Sequence, residues 1–232
     1  MIGFQIEVTG YNGDSGMLDM YTGKNISPGF FSWAIPTGDT TRIGTWTKAE
    51  LMNGLSSEQY LDKLLQDQKI NSRFRLCSEV ARFCGPVPSG IVRKPLIERV
   101  ALFGDSAGVC KPTTGGGIGP GFNQVDLLVP RLSKSMENNE LSRGTMNSIS
   151  ALLKEMARNQ RKKRALRDAF LTEMSDDELE SIFDVWARPE VTDLINEFGD
   201  IENPIPLGIK MLREVPEFRR LAGRAAKAVL WG

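Results

Sequence analysis

Five residues near the middle of the chain have the types and spacing of a hydrolase nucleophile. Gly104-Asp105-Ser106-Ala107-Gly108 is a G-x-S-x-G pentapeptide, and it directly follows an apolar run that predicts a strand. In α/β-hydrolases such a pentapeptide forms the sharp strand-to-helix turn that exposes a nucleophilic serine. Ser106 is therefore the first candidate for covalent chemistry.

The partners that would activate Ser106 are missing from the sequence. The 232 residues include no histidine, so neither a Ser-His-Asp triad nor a histidine-containing zinc site can form. Pro112 and the glycines at 115–117 prevent a helix from starting directly after the pentapeptide. A Ser-Lys pair with Lys111 would have nothing to orient it. The sequence argues against a hydrolase.

Metal chemistry and a disulfide framework are equally disfavoured. The three cysteines, Cys77, Cys84 and Cys110, are irregularly spaced and cannot complete a four-cysteine zinc site. We therefore expect no metal, a reducing compartment, and buried, inert thiols.

The glycines after the pentapeptide suit a ligand with an anionic edge. The chain lacks both G-x-x-x-x-G-K-[ST] and G-x-G-x-x-G. Residues 115–118 instead open a predicted helix, whose free N–H groups and positive dipole end favour an anion. Gly104 would let a bulky ligand approach the backbone, and Asp105 could accept hydrogen bonds from hydroxyls such as those of the ribityl chain of FAD. A plain glycine-rich connection is the alternative.

The stretch GDSAGVCKPTTGGGIGPG, residues 104–121, resembles the second flavin motif of the geranylgeranyl reductase family. These are FAD enzymes of the p-hydroxybenzoate-hydroxylase-like fold that saturate isoprenoid double bonds. The C-terminal half also resembles the archaeal members that reduce membrane lipids. The resemblance implies FAD as cofactor, with the N1/C2=O edge of the reduced ring at the helix N-terminus, and it indicates no catalytic acid. The cofactor-binding residues that it implies are Gly104, Asp105, Ala107, Gly108, Pro112, Thr114, Gly115, Gly116, Gly117 and Ile118.

A second motif of the family, P-x-x-Y-x-W-x-F-P-K, has a partial counterpart in PGFFSWAIPT, residues 28–37. Pro28, Trp33 and Pro36 match, whereas Phe31, Ile35 and Thr37 replace tyrosine, phenylalanine and lysine. Because side chains alternate along a strand, Phe31 and Trp33 should share one face. We expect that face, with Pro28 and Pro36, to form an apolar wall for an isoprenoid chain, with core packing as the alternative.

One family element has no counterpart here. The family begins with a βαβ unit carrying G-x-G-x-x-G, which binds the ADP half of FAD. The resemblance therefore implies the C-terminal portion of a reductase, which would pair with a separate N-terminal Rossmann half and draw electrons from ferredoxin or NAD(P)H. The alternative is a non-catalytic lipid-binding or subunit fragment without its own cofactor.

Charge and hydropathy limit the partners and the location. Lys plus Arg and Asp plus Glu both number 29, which disfavours nucleic acid as a partner. No apolar run reaches the roughly 18 residues of a spanning helix, and no signal peptide is evident. We expect a cytoplasmic protein that can lie on the inner membrane face. The basic run 158–167 could contact anionic lipid or could be a solvated helix face. The amphipathic helix at 216–231 could contact anionic lipid or could pack in the core of the protein.

The pattern of apolar residues predicts an α+β fold. Alternation and short Gly/Asn/Asp connections predict an antiparallel meander of four strands, and a helix from Ser56 or Ser57 to Ile70 follows. Helices fill the chain from about Leu141 onward, one of them starting at the capping box Ser175–Glu178. This change divides the chain into a substrate-side sheet with the second FAD motif at 1–135 and a helical region at 136–232. The predicted strands lie at 2–8, 16–22, 30–36, 40–47, 74–83 and 98–104.

Overall fold

The computed structural model describes residues 1–200, 205–220 and 223. By contacts the chain divides into two compact units, here called the sheet unit and the helical unit. The sheet unit comprises Met1–Val87 with Leu171–Asp176, and the helical unit comprises Pro88–Phe170 with Asp177–Gly232. The predicted division at residue 135 followed the change in secondary structure, whereas these units follow packing, which places the glycine-rich stretch in the helical unit.

The sheet unit contains a five-stranded antiparallel sheet with the strand order β2-β3-β4-β1-β5. Its strands are β1 (Ile2–Thr9), β2 (Asp19–Tyr21), β3 (Ser32–Pro36), β4 (Thr41–Thr47) and β5 (Ser78–Pro86).

The predicted four-strand meander is correct for β2, β3 and β4 but wrong for β1. The first strand pairs with β4, from Ile2 opposite Thr47 to Val8 opposite Thr41, and with β5 on its other side. Residues 10–18 therefore cross from one side of the β3–β4 pair to the other instead of closing a hairpin. Alternating hydrophobicity fixes the buried face of a strand but not its neighbour.

One face of this sheet forms a core with helix α1 (Ser57–Gln66). Ser56 begins the helix as predicted: its Oγ accepts a hydrogen bond from Gln59 N at 3.2 Å, and Gln59 Oε1 accepts one from Ser56 N at 2.8 Å. The buried side chains of this core are Phe4, Ile6, Val8, Ile26, Ala34, Ile43, Leu61, Leu64 and Phe74.

The helical unit contains a short β-hairpin and most of the helices. The predicted strand at 98–104 is reduced to the two-residue strand β7 (Val100–Ala101). It pairs with another two-residue strand, β6 (Leu96–Ile97), which lies before the predicted one. The helices are α2 (Ile118–Glu137), α3 (Arg143–Ser150), α4 (Lys154–Leu171), α5 (Asp176–Trp186), α6 (Pro189–Phe198) and α7 (Ile205–Glu214).

Helix α2 begins at Ile118, where residues 115–118 predicted a helix to open, and it continues through Pro130. The predicted change from strands to helices near residue 135 therefore lies too late in the chain. Helix α1 also ends earlier than predicted, at Gln66 rather than at Ile70.

Within the region that the sequence predicts to be helical, a 3-10 turn at Ala151–Leu153 separates α3 from α4. The turn follows Asn147, Ser148 and Ser150, whose side chains compete with the helical backbone for hydrogen bonds.

Two apolar clusters hold the helical unit together. The first joins the hairpin to α2 and α3 through Leu96, Leu128, Leu132, Met146, Ile149 and Leu153. The second joins α5, α6 and α7 through Val185, Val191, Met211 and Val215.

The predicted C-terminal helix at 216–231 lies mostly outside the described residues. Its start is seen as a 3-10 turn at Pro216–Phe218. Among the helices that the structure describes, none is long and apolar enough to cross a membrane.

Candidate functional site

The G-x-S-x-G pentapeptide forms a 3-10 turn, not a strand-to-helix elbow. The turn spans Gly104–Ala107 and closes at Gly108, which has the left-handed φ of +73°. Gly104 also has a positive φ, +59°, which residues with a Cβ rarely adopt. The next helix begins only at Ile118, so the geometry of a nucleophile elbow is not formed.

Ser106 uses its hydroxyl within this turn. The Oγ donates a hydrogen bond to the carbonyl oxygen of Phe103 at 2.7 Å. The serine hydroxyl is thus used to stabilise the local turn.

The Asp105 carboxylate lies beside the start of α2. A Cβ built on Gly117 would lie 3.1 Å from Asp105 Oδ1, so the glycine allows this approach. Oδ1 also accepts a hydrogen bond from Cys110 Sγ at 3.0 Å. Burial, with this hydrogen bond and the charge of Asp105, raises the pKa of Cys110 to about 12. Cys110 is therefore a protonated thiol at neutral pH, and Asp105 itself is exposed. The expectation of buried thiols is wrong for Cys84, which is exposed, and Cys77 is only half-buried.

The glycine run forms a closed turn that leads into α2. Lys111 N donates to Gly116 O at 3.0 Å, and Gly115 N donates to Lys111 O at 2.9 Å. Gly115 is again left-handed, with φ +71°. Gly117 caps α2 without a side-chain hydrogen bond, so the first backbone N–H groups of this helix stay available to a ligand.

The loop is fixed from one side by residues 89–92. Gly90 N donates to Gly108 O at 2.9 Å, Val92 N donates to Ala107 O at 3.1 Å, and Ser89 bridges to Val109. A Cβ on Gly108 would collide with the carbonyl oxygen of Gly90. Gly108 is thus required both by its φ and by this close approach.

Two buried glutamines hold the loop from the helices. Gln124 of α2 accepts a hydrogen bond from Gly104 N at 2.9 Å and donates one to Leu102 O at 3.0 Å. Gln160 of α4 accepts from Ile91 N at 3.0 Å, and its Nε2 lies 3.3 and 3.2 Å from the carbonyl oxygens of Gly108 and Cys110. Both glutamines satisfy loop backbone groups that are buried.

The sequence analysis missed both glutamines. For Gln124 a signal existed, because it lies four residues before Leu128 on the buried side of the helix. A polar residue in line with buried leucines indicates a specific hydrogen-bond partner.

The basic run 158–167 is only partly a solvated face. Arg167 is 6% exposed and donates to Pro112 O at 3.0 Å, and its guanidinium pairs with Asp168. Arg164 donates to Ser89 O at 2.5 Å. These two arginines therefore support the glycine-rich loop and its neighbouring segment, whereas Arg158 and Arg161 are exposed.

A cavity of about 490 Å³ lies beside the loop, between α2 and α4. Its walls are mixed in character, with apolar side chains and charges of both signs. The lining residues are Val109, Lys111, Pro112, Pro120, Asn123, Asp126, Leu127, Leu152, Glu155, Met156, Asn159, Gln160 and Lys163.

The predicted substrate residues lie in the sheet unit, in an aromatic layer on the sheet face opposite the core. Phe31 and Trp33 do share this face, with ring centroids 6.2 Å apart. The sequence analysis missed Trp46, whose centroid lies 5.0 Å from Trp33 and 5.6 Å from Phe31. The buried ring of Phe30 also packs against Phe31 and Trp46, at 4.6 and 5.3 Å. Trp33 is buried, whereas Phe31 and Trp46 are half-buried.

Two glycines make room for the indole rings. A Cβ on Gly44 would overlap the Trp33 ring, and a Cβ on Gly3 would overlap the Trp46 ring. Trp33 Nε1 also donates a hydrogen bond to Gln5 Oε1 at 3.2 Å. The indole rings therefore pack directly against the backbone at Gly44 and Gly3, with their planes at 66° to each other.

The two predicted prolines flank this layer in the chain. Pro28 is buried, and its carbonyl oxygen accepts a hydrogen bond from Lys48 N at 3.0 Å. Pro36 ends β3 and is half-buried.

The chain was compared with known proteins, and no protein-family model matches it. The digeranylgeranylglycerophospholipid reductase of Methanocaldococcus jannaschii is 25% identical over 170 residues, which are 73% of this chain and 43% of the reductase. That of Methanospirillum hungatei is 26% identical over 216 residues, 89% of this chain and 51% of the reductase. The chain spans about half the length of the curated relatives it matches.

The fold has a counterpart among solved structures. A geranylgeranyl bacteriochlorophyll reductase-like protein of Thermoplasma acidophilum superposes with a TM-score of 0.75 at 20% identity, covering 96% of this chain and 54% of that protein. The likeness extends across the α+β fold, with its antiparallel sheet and following helices. By sequence, the chain is a distant homologue of the digeranylgeranylglycerophospholipid reductases over about half of their length.

Proposed function

We propose that this chain is the substrate-side portion of an FAD-dependent reductase that saturates isoprenoid double bonds of geranylgeranyl chains in membrane lipids. The observation that carries the proposal is the loop at residues 104–118. There an exposed carboxylate, Asp105, stands beside the N-terminus of α2, which has no side-chain cap. The distant homology to reductases of such lipids supports this chemistry and this substrate class.

The loop residues fit a flavin. A Cβ on Gly104 would meet no atom within 4 Å, so the space above this turn is open to a ligand. Asp105 is available to hydroxyl groups, and the N–H groups at Gly117 and Ile118 favour an anionic edge. The reduced cofactor, when bound, would supply a hydride to the alkene.

The chain's own residues would hold the ring in place and keep the site rigid. Gln124, Gln160 and Arg167 bind loop carbonyl or amide groups, so the loop keeps its shape without the ligand. A loop that is ordered in advance loses little conformational entropy when a ligand binds.

The aromatic layer would contact the isoprenoid chain. Phe31, Trp33 and Trp46 offer a large apolar surface, of which Phe31 and Trp46 remain partly accessible. Pro28 and Pro36 lie on either side of this layer in the chain, with Pro36 at the end of β3. The Nε1 group of Trp33 is already paired with Gln5, so the layer presents few unsatisfied polar groups to an apolar ligand.

The test is reconstitution. The chain would be coexpressed with the portion of the Methanocaldococcus jannaschii reductase that lies outside the matched residues, and the complex supplied with FAD, a chemical reductant and a digeranylgeranyl lipid. We expect flavin absorption bands in the complex and, by mass spectrometry, lipid that has gained two hydrogens per double bond.

The control for this experiment is the chain alone. It should bind FAD weakly, because the groups that hold the pyrophosphate and adenosine are not among its motifs. A complex that forms but neither binds flavin nor reduces lipid would favour the second candidate, a non-catalytic subunit. The partial coverage of the relatives is the observation behind that candidate.

A further inference from the structure

Helix α2 carries two apolar faces, and only one of them is covered. Gln124, Leu128, Leu132 and Ser135 face the core of the helical unit and are buried. A second set of apolar side chains is exposed and recurs at intervals of four, three, four and seven residues, which places it along one side of the helix. This set, here called the α2 stripe, consists of Ile118, Phe122, Val125, Val129 and Met136.

The α2 stripe is too exposed and too continuous for an ordinary surface. Ile118, Phe122 and Met136 are 77%, 67% and 64% exposed, and Val125 and Val129 are each 40% exposed. At 1.5 Å per residue the stripe is about 27 Å long. Single exposed apolar residues are common, but a contiguous line of large ones marks an interaction surface.

The stripe begins at the candidate flavin site. Ile118 is the first residue of α2 and directly follows the glycines of the loop, and Gly116 and Asp105 beside it are also exposed. A protein that covers the first turns of the stripe would therefore also lie next to the uncapped helix N-terminus. Its surface would complete the walls around any ligand bound there.

We propose that the α2 stripe is the docking surface for the polypeptide portion that completes the cofactor site. This inference rests on the proposed function. The chain covers 43% of the Methanocaldococcus jannaschii reductase and 54% of the Thermoplasma acidophilum protein, so roughly half of each lies outside the match. The Gly104–Ile118 loop holds only part of a flavin site, and the remaining part must contact the same exposed region. The stripe offers the apolar area that such a contact needs.

The test measures association without FAD or lipid. The chain and the unmatched portion of the Methanocaldococcus jannaschii reductase would be produced as separate polypeptides and mixed, with complex formation followed by sedimentation velocity. We expect a 1:1 complex that Phe122→Glu and Val129→Glu each weaken by at least about tenfold, because a buried charge without a partner is costly. Thermal unfolding of each variant alone should match the parent, since both side chains are exposed.

Leu127→Glu is the matched control. Leu127 is on the same helix and is 41% exposed. At 100° per residue it lies on the side opposite the stripe and lines the cavity between α2 and α4, so its variant should associate like the parent. Absence of a 1:1 complex, or equal affinity of the stripe variants and the control, overturns the proposal. A stripe-dependent dimer of the chain itself, unaffected by the second polypeptide, also overturns it in favour of a second copy as occupant.

Failure of the proposed function gives a different result. If the complex forms through the stripe but neither takes up FAD nor reduces lipid, the docking surface is supported and the proposed reductase activity is wrong. If the complex containing the Phe122→Glu variant reduces lipid with full activity, the reductase activity is supported and the docking surface is wrong.

Discussion

The Cys110 thiol donates a hydrogen bond to the Asp105 carboxylate, with Sγ and Oδ1 3.0 Å apart. Cys110 is 2% exposed, whereas Asp105 lies at the surface of the loop. The pair therefore joins the buried side of the glycine-rich loop to the side that would meet a ligand. Because a thiolate beside a carboxylate is unfavourable, the contact requires the protonated thiol.

The raised pKa of Cys110 predicts how stability depends on pH. The thiol has an ordinary pKa of 9.0 in the unfolded chain and about 12 in the folded one. As the pH rises above 9, the unfolded state loses the proton first, so the contribution of this group to folding is present below pH 9 and is lost towards pH 12. The loss amounts to about 1.4 kcal/mol per pH unit within that window.

Urea unfolding between pH 8 and 10.5 checks this slope. The difference in free energy of unfolding between the parent and Cys110→Ala should shrink as the pH rises, because the variant lacks the titrating thiol. A difference that stays constant over this pH range would contradict the assignment.

Asp105 and Ser106 are adjacent, and the proposed function assigns them unequal roles. In the reconstituted complex, Asp105→Asn should weaken FAD binding by about tenfold or more and shift the flavin potential, because the carboxylate is a stronger acceptor than an amide. Ser106→Ala removes a hydrogen bond at an exposed turn and should leave flavin binding and turnover within about twofold. Flavin titration followed by absorbance measures both. Lost turnover in Ser106→Ala with flavin fully bound would restore the serine as a chemical participant.

Gly104 and Gly108 both have positive φ angles, but only Gly108 has another part of the backbone packed against it. Gly104→Ala should lower the free energy of unfolding by about 1 kcal/mol, the cost of a left-handed residue with a side chain. Gly108→Ala adds a collision with the Gly90 carbonyl and should lower it by at least about twice as much. In the complex, Gly104→Ala should nevertheless impair flavin uptake. Chemical denaturation and flavin titration of the two variants distinguish these effects, and equal stability losses would contradict them.

Gln160 should stabilise the glycine-rich loop although it lies far from the loop in the sequence. Gln160→Leu leaves the carbonyl oxygens of Gly108 and Cys110 and the amide of Ile91 without this partner, which should reduce the free energy of unfolding by about 1–3 kcal/mol. Asn159→Leu, at an exposed neighbouring position of α4, is the matched control. Hydrogen exchange at Ile91 N should accelerate in the first variant alone, and unchanged exchange there would refute the role of Gln160.

Local signals in the sequence were sufficient for several elements of this fold. The serines at 56 and 57 predicted the start of α1, and the glycines at 115–117 predicted the start of the helix at Ile118. The alternation of Phe31 and Trp33 predicted a shared face. Each of these predictions depends on residues within a few positions of one another.

The parts that were missed depend on distant residues. The neighbour of β1 is β4, and the third aromatic ring is that of Trp46, because strands distant in sequence pair side by side. Gln160 binds a loop some fifty residues earlier in the chain, a contact that helical periodicity cannot indicate. The actual helix boundaries at Ser150 and Lys154 were also missed, since propensity at a break is weak compared with packing.

The glycines beneath the two indole rings have a consequence for sequence variation. Glycine weakens a strand, and Gly3 and Gly44 would normally be positions where substitutions improve local β-propensity. Here any added side chain must displace Trp46 or Trp33 from the sheet surface. Each glycine is therefore expected to vary together with its tryptophan. A smaller side chain in place of Trp33 would allow a larger residue at position 44, and a smaller one in place of Trp46 would allow a larger residue at position 3. In a mutational scan, the effects of substitutions within each pair should not be additive.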